Sequence, residues 1–449
     1  MQKELFKAEI KPLIWLALPL IGGGLVEFSS GFFATLMLGH VNPQALAAGS
    51  LMNMIFTTLM VLVWGMFTAV GVIVAQQYGA QNKQAIVQTV RSGLSLAVIT
   101  TIPFMLFLHV VPYFLQFFNQ SPELIALIKP GLVAFSWGIF PDLIILTLSQ
   151  FAVGLGHARV SVLFSFVWTP FNVFFVAAFI FGLWHFPKLG VTGLGWGFTC
   201  AMWILMFVIM IYLLCAPTYK EYRQLLFKNW QLGFIKSILK IGIPMGGIYT
   251  IDLIYLLTLA LLMGTFGIAT LAAHQIVWQF FWQGSIICFA VGQAITVKVG
   301  HYVGGQTPER IKPVTYVGII FMATTMFLIS IIYWTLPTTL VGLDLGHRPD
   351  NEVLTLAIHF FAIAGFVQIL QAGWIGLLAA LRGMGDTRIL MGLSAVAQYG
   401  AGLPLACLMA YGLHLQGQGL WYALILDSFV FISLAYWRLK NRLALSVKN

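Results

Sequence analysis

Two carboxylates stand inside long apolar runs at matching places. Asp252 lies eight residues after Pro244 and Glu27 eight residues after Pro19, so the two patterns are offset by 225 residues. An ionisable side chain in hydrocarbon is costly and is usually retained for function. Tyr249 and Tyr255 sit three residues either side of Asp252 on one helix face, where both hydroxyls can reach its carboxyl. Because hydrocarbon disfavours a bare carboxylate, such a group exchanges H⁺, Na⁺ or an organic cation by simple exclusion. A coupling-cation site at Asp252, Tyr249 and Tyr255 is therefore expected. The competing reading is a neutral carboxyl hydrogen-bonded between helices. Glu27 has Gly23, Gly24, Ser30 and Gly31 around it. Small residues allow close helix contact, so Glu27 is either a substrate or proton group or a packed, protonated side chain. Asp142 follows Pro141, which frees a backbone carbonyl that a protonated Asp142 can satisfy. Asp427 is also mid-span. For both, a structural role is the first reading and a place in the substrate cavity the second.

Neutral polar residues repeat at helical spacing. Gln275, Gln279, Trp282 and Gln283 fall at i, i+4, i+7 and i+8, and Gln368 and Gln371 at i and i+3. Amides on one face can line a substrate cavity without trapping a cation, or they can bond to neighbouring helices. His274 reads as an interfacial cap rather than a proton relay. The four cysteines are scattered through apolar runs with no C-x-x-C or Cys/His cluster, so no metal site is expected beyond a bound Na⁺ at Asp252. No phosphate loop, zinc-protease helix or nucleophile elbow occurs. The energy source must then be an ion gradient, with H⁺ or Na⁺ in place of a cofactor.

These residues need helices to hold them in a bilayer. Of 449 residues 60% are apolar and 8% charged, against about 25% charged in soluble domains. Apolar runs of membrane-crossing length recur as twelve spans, from 13–38 to 417–437. A transmembrane β-barrel would show short alternating strands instead. The first run outlasts a signal-peptide core and lacks a cleavage pattern, so it reads as a retained span. With both termini inside, 20 of the 23 basic residues fall on the cytoplasmic side, leaving Lys129, Lys188 and Arg348 outside. The net charge of +10 is thus a topology signal and not a nucleic-acid footprint. The spans divide into a lobe at 1–217, a cytoplasmic linker at 218–237 and a second lobe at 238–449. Leu46-Ala47-Ala48 answers Leu271-Ala272-Ala273, and Gly79-Ala80-Gln81 answers Gly304-Gly305-Gln306, at offset 225; Gly154, Gly156 and Arg159 answer Gly383, Gly385 and Arg388 at offset 229. Six spans per half make this a parallel repeat, which places a binding cavity between two bundles.

Several motifs in this order resemble the MATE (multidrug and toxin extrusion) transporters, and the likeness covers nearly the whole chain. They are Val74-Ala75-Gln76-Gln77-Tyr78-Gly79-Ala80-Gln81-Asn82, Ala272-Ala273-His274-Gln275, Val299-Gly300-His301-Tyr302-Val303-Gly304 and Leu381-Arg382-Gly383-Met384-Gly385-Asp386. The resemblance implies an all-α fold of two pseudo-symmetric six-helix lobes, V-shaped around a central cavity. It also implies export of cationic or amphiphilic compounds driven by inward H⁺ or Na⁺. Asp252 matches the acidic position that the bacterial efflux branch uses in span seven, and Asn172 matches the asparagine of span five. Gln371 stands where that branch often has an aspartate in span ten, and joins the coupling site by that match. Ala34 and Val176 stand at two further positions where members carry acids.

The expectation is a secondary efflux transporter of the bacterial inner membrane, monomeric and surrounded by lipid, working by alternating access with Asp252 as coupling carboxylate. H⁺ is favoured over Na⁺ because Gln371 and Ala34 replace charges that would help coordinate Na⁺. Glu27, Gln275, Gln279, Trp282, Gln283, Gln368, Asn172 and Asp142 are expected to line the substrate cavity. A lipid-linked precursor flippase is the first alternative; it would favour a cationic cavity, and the spans show no mid-membrane Arg or Lys. An acyltransferase-type membrane enzyme is the second, and His109, His274 and His359 stand alone without catalytic partners.

Overall fold

The computed structural model describes residues 2–118, 121–226, 233–345 and 351–446. Asn119, Gln120, Lys228, Arg348 and Lys448, together with the linker residues 227–232, lie outside the described residues. Within them every regular element is a helix, and twelve helices are long and apolar enough to cross a membrane. The cause is the solvent: hydrocarbon offers backbone N–H and C=O groups no partner, so each crossing segment must satisfy its own.

In chain order the helices are α1 (Gln2–Gly39), α2 (Pro43–Gly79), α3 (Lys83–Phe114), α4 (Pro122–Gly154), α5 (Ala158–Phe181) and α6 (Thr192–Cys215). A short α7 (Lys220–Leu226) starts the linker. Then come α8 (Ile235–Gly264), α9 (Ile268–Gly304), α10 (Ile311–Thr335), a short α11 (Pro337–Leu345) and α12 (Asn351–Gly383). The eleventh span alternates α13 (Thr387–Ala395), a π-helical turn at Val396–Gly402, α14 (Leu403–Cys407) and a second π turn at Leu408–Gly412. The last span is α15 (Gln416–Ser446).

The repeated motifs prove to be helix ends. After α4 the N–H of Gly156 bonds to the carbonyl of Val153 at 2.8 Å and that of His157 to Ala152 at 3.0 Å. After α12 the pattern recurs, Gly385 to Arg382 at 2.9 Å and Asp386 to Leu381 at 3.0 Å. Gly156 (φ 86°) and Gly385 (φ 76°) adopt the left-handed conformation that such a cap requires. Two residues earlier, Gly154 and Gly383 lie where helices touch. A Cβ on Gly154 would stand 2.9 Å from the Gly71 carbonyl oxygen and 2.8 Å from Val74 Cγ1. On Gly383 it would stand 2.7 Å from the Thr296 carbonyl oxygen and 2.9 Å from Val299 Cγ1. The same contact is thus built twice, α4 on α2 and α12 on α9.

Two compact units result, one of residues 22–246 and the other of residues 1–21 with 247–449. Their limits fall inside α1 and α8 rather than at the linker. Within the first unit, Gly242 and Gly246 of α8 press on the carbonyls of Met66 and Leu62. Within the second, the start of α1 is anchored by Glu9. Its buried carboxylate accepts the Tyr302 hydroxyl at 2.5 Å and lies 3.8 Å from Arg310 Nε.

Candidate functional site

Asp252 projects from the middle of α8 and is half-buried. Its Oδ1 accepts a hydrogen bond from Gln398 Nε2 at 2.7 Å. Gln398 belongs to the π turn at Val396–Gly402. Pro404, which has no N–H to give to a regular helix, stands two residues beyond it. An inserted π turn re-aims side chains and recurs at functional sites; here it brings two consecutive residues to α8. Tyr399 is the second, its hydroxyl donating to the Ile251 carbonyl at 3.3 Å and its ring 5.9 Å from that of Tyr255.

Behind Asp252 lies a second carboxyl. Asp427 of α15 is buried, and the Ser428 hydroxyl, which donates to the Leu424 carbonyl at 2.7 Å, sits 3.3 Å from its Oδ1. Asp252 and Asp427 are electrostatic neighbours. The Tyr255 hydroxyl points toward Asp427, is fully buried, and makes no hydrogen bond of normal geometry. Gln398 Oε1 is likewise buried without a partner. Gly402 packs closely here: a Cβ on it would stand 2.6 Å from the Tyr255 hydroxyl and 3.0 Å from Asp427 Cβ.

The structure brings Tyr255 to this cluster but takes two expected members elsewhere. Tyr249 shares a helix face with Asp252, yet its hydroxyl accepts Arg382 Nη1 at 3.1 Å. Arg382, buried in the last turn of α12, also donates to Thr296 Oγ1 and Gln293 Oε1, each at 3.1 Å. Arg382 thus stands at the end of its helix, beyond the 354–379 span in which no mid-membrane Arg or Lys is expected. Gln371 Oε1 accepts from Ser285 Oγ at 2.8 Å and from Gln368 Nε2 at 3.1 Å, so it braces α12 against α9 rather than reaching Asp252. Gln368 is fully buried, its Nε2 also 3.0 Å from Met326 Sδ, which makes it a packing residue and not an exposed cavity wall.

Gln275, Gln279 and Trp282 do share one exposed face of α9, with Gln283 half-buried beside them. His274 is no interfacial cap. It is buried, with its ring 5.9 Å from Trp278 and 5.6 Å from Trp421.

In the first unit Asp142 of α4 is buried and accepts Trp64 Nε1 at 2.9 Å. Glu27 is its electrostatic neighbour and is exposed rather than packed against its glycines. Asn172 is buried in α5. Sequence reasoning missed Gln398, Tyr399 and Arg382 as partners. A glutamine and tyrosine flanked by Gly400, Gly402 and Pro404 in an apolar run was the available signal. Among the described residues no group of three His, Cys, Asp or Glu is placed to hold a metal ion.

A family model described as MatE matches this chain twice, over residues 19–178 and 244–408. The chain belongs to the MatE family. The two matches follow the internal repeat, one in each half. A probable multidrug resistance protein NorM of Synechocystis sp. is 31% identical over 439 residues, covering 97% of this chain and 95% of that protein. One of Pseudomonas aeruginosa is 28% identical, covering 93% and 86%. Among solved structures, an outward-facing multidrug resistance MATE family transporter superposes with a TM-score of 0.89 at 16% identity over 99% of this chain and 98% of its own. The eukaryotic MATE transporter AtDTX14 gives 0.85 at 17% identity over 98% and 99%. This MatE chain is accordingly a multi-pass membrane transporter, and the membrane-enzyme alternative falls away.

Proposed function

We propose that this chain is a multidrug efflux transporter that exchanges cationic or amphiphilic compounds for an inward-moving cation by alternating access. The names of its full-length relatives support multidrug export. The observation that carries cation coupling is Asp252, an ionisable group in mid-span whose hydrogen-bond partner is a neutral amide rather than a cation. Free of a fixed counter-charge, it can take up and release H⁺, Na⁺ or the drug itself.

H⁺ is favoured over Na⁺, since Gln371 is neutral and committed to Ser285 and Gln368. Substrate contact is assigned to the exposed polar positions, Gln275, Gln279 and Trp282 on α9 and Glu27 on α1. The lopsided distribution of basic residues supports an inner-membrane orientation with both termini in the cytoplasm, and a monomer suffices. The flippase reading loses support from Arg382, because its guanidinium is engaged by three protein acceptors and is not free for pyrophosphate.

Ethidium efflux from proteoliposomes, driven either by a pH gradient without Na⁺ or by a Na⁺ gradient at equal pH, tests the reading. Transport that demands Na⁺ sinks the preference for H⁺. Undiminished efflux by Asp252→Asn sinks the coupling role.

A further inference from the structure

We propose that a crevice between α3, α4 and α6 holds one acyl chain of an anionic phospholipid, whose phosphate is drawn to Lys129. The site lies wholly in the first unit and stands apart from the efflux reading.

The crevice encloses about 260 Å³, with Val98, Ile102 and Met105 on the α3 side and Trp137, Phe140 and Trp203 on the α4 and α6 side. Its polar lining groups are turned back onto backbone. The Thr101 hydroxyl donates to the Ala97 carbonyl at 2.8 Å, the Ser136 hydroxyl to Val133 at 2.7 Å and the Trp203 indole to Trp137 at 3.2 Å. The wall therefore offers carbon, and an organic cation would find no acceptor there. Val98, Ile102 and Trp137 are exposed, and so are their neighbours Ile99, Leu106 and Phe107. The crevice thus opens onto an apolar face, which in a bilayer meets acyl chains.

A cation stands above it. Lys129 Nζ donates to the Tyr113 hydroxyl at 3.1 Å and lies 4.8 Å from the centre of that ring. Both side chains are exposed, and among the described residues no carboxylate pairs with Lys129. Lys129, Ser136 and Phe140 fall at i, i+7 and i+11 on one face of α4, and Ile102 and Tyr113, eleven apart, on one face of α3. Lys129 is about 10 Å along α4 from Ser136 at the helical rise. Half a hydrocarbon core is about 15 Å, so one lipid can reach both with its phosphate and its chain.

The internal repeat supplies the contrast. At offset 229, Ile358 stands for Lys129, Gly365 for Ser136 and Phe366 for Trp137. There Trp334 takes the place: its Nε1 would be 2.5 Å from a Cβ on Gly365, and its ring lies 5.1 Å from that of Phe366. The second unit fills the equivalent of the crevice with its own side chain and has an uncharged residue where the phosphate would sit.

The test places the full chain in phosphatidylcholine nanodiscs with a trace of phosphatidylglycerol that carries a diazirine midway along one acyl chain. After photolysis, labelled peptides are mapped by mass spectrometry. The peptides holding Met105 and Trp137 are expected to carry more label than the peptide holding Phe366, and excess unlabelled phosphatidylglycerol should remove the difference. Lys129→Gln should lower the crevice label about fivefold, the loss of one lysine near an anionic lipid. Ile102→Trp, which fills the crevice from its exposed edge, should abolish it. Both variants replace exposed side chains and leave the packed interior alone. Equal labelling of the Trp137 and Phe366 peptides overturns the inference, as does an unchanged label in either variant. Displacement of the label by ethidium overturns it too, by giving the crevice to a drug.

Discussion

The two units share a scaffold and differ in what their acids are given to do. In the first, the buried carboxyl of Asp142 is capped by the Trp64 indole and Glu27 is exposed. In the second, Asp252 takes the Gln398 amide, and the buried Tyr255 hydroxyl is turned toward the buried Asp427. The offset of 229 that pairs Gly154 with Gly383 also sets Asp142 opposite Gln371. The fourth span of one half therefore carries an acid and that of the other an amide, while the second unit takes its extra carboxyl from its sixth span. Helix ends and close contacts are copied between halves; site chemistry is not.

That contrast can be broken most forcefully at the acids. Asp252→Asn should abolish gradient-driven efflux. Glu27→Gln should keep it and change KM among cationic dyes, measured by transport in vesicles; equal losses in both would erase the distinction. At the shared contacts the units should respond alike. Gly154→Ala and Gly383→Ala each force a Cβ within 3 Å of a backbone carbonyl and should cost about 1–3 kcal/mol. Thermal unfolding in detergent would show it, and a marked difference between the two would argue against a copied contact.

Trp64→Phe removes the indole donor to Asp142 and should destabilise the first unit by about 1–3 kcal/mol, with cation coupling unchanged in the dye assay. The smallest effect belongs to His157, outside the spans, whose Nδ1 lies 3.1 Å from the Tyr219 hydroxyl. Burial pushes its imidazole below the ordinary value of 6.5. The unfolded chain then binds the proton more readily, so stability is full above pH 6.5 and falls as the pH drops through it. Replacing His157 with Phe should flatten that acid limb of the melting curve.

Much of the fold was legible because a bilayer leaves the backbone one economical solution, and apolar runs mark where it applies. The repeat was legible because helix caps need particular residues, glycine at positions 156 and 385 above all. Asp252 stood out for the cost of its charge. Its partners did not, because spacing along one helix says nothing about which face of a distant helix arrives there. Tyr249 had the correct spacing and was claimed by Arg382, whereas Gln398 came from a span whose π turn shifts its register. Asp427 was visible as a mid-span acid, but its nearness to Asp252 arises only when α8, α13 to α15 and their π turns are packed.

The placement of residues 1–21 bears on how the gene can be divided. A cut in the linker looks natural, yet the fragment 238–449 would lack the carboxylate that Tyr302 and Arg310 meet in the whole chain. It would also lack Leu13, whose Cδ2 lies 3.3 Å from the Cβ position of Gly318. Each separately synthesised half would expose a surface that the other half's leading helix covers in the whole chain.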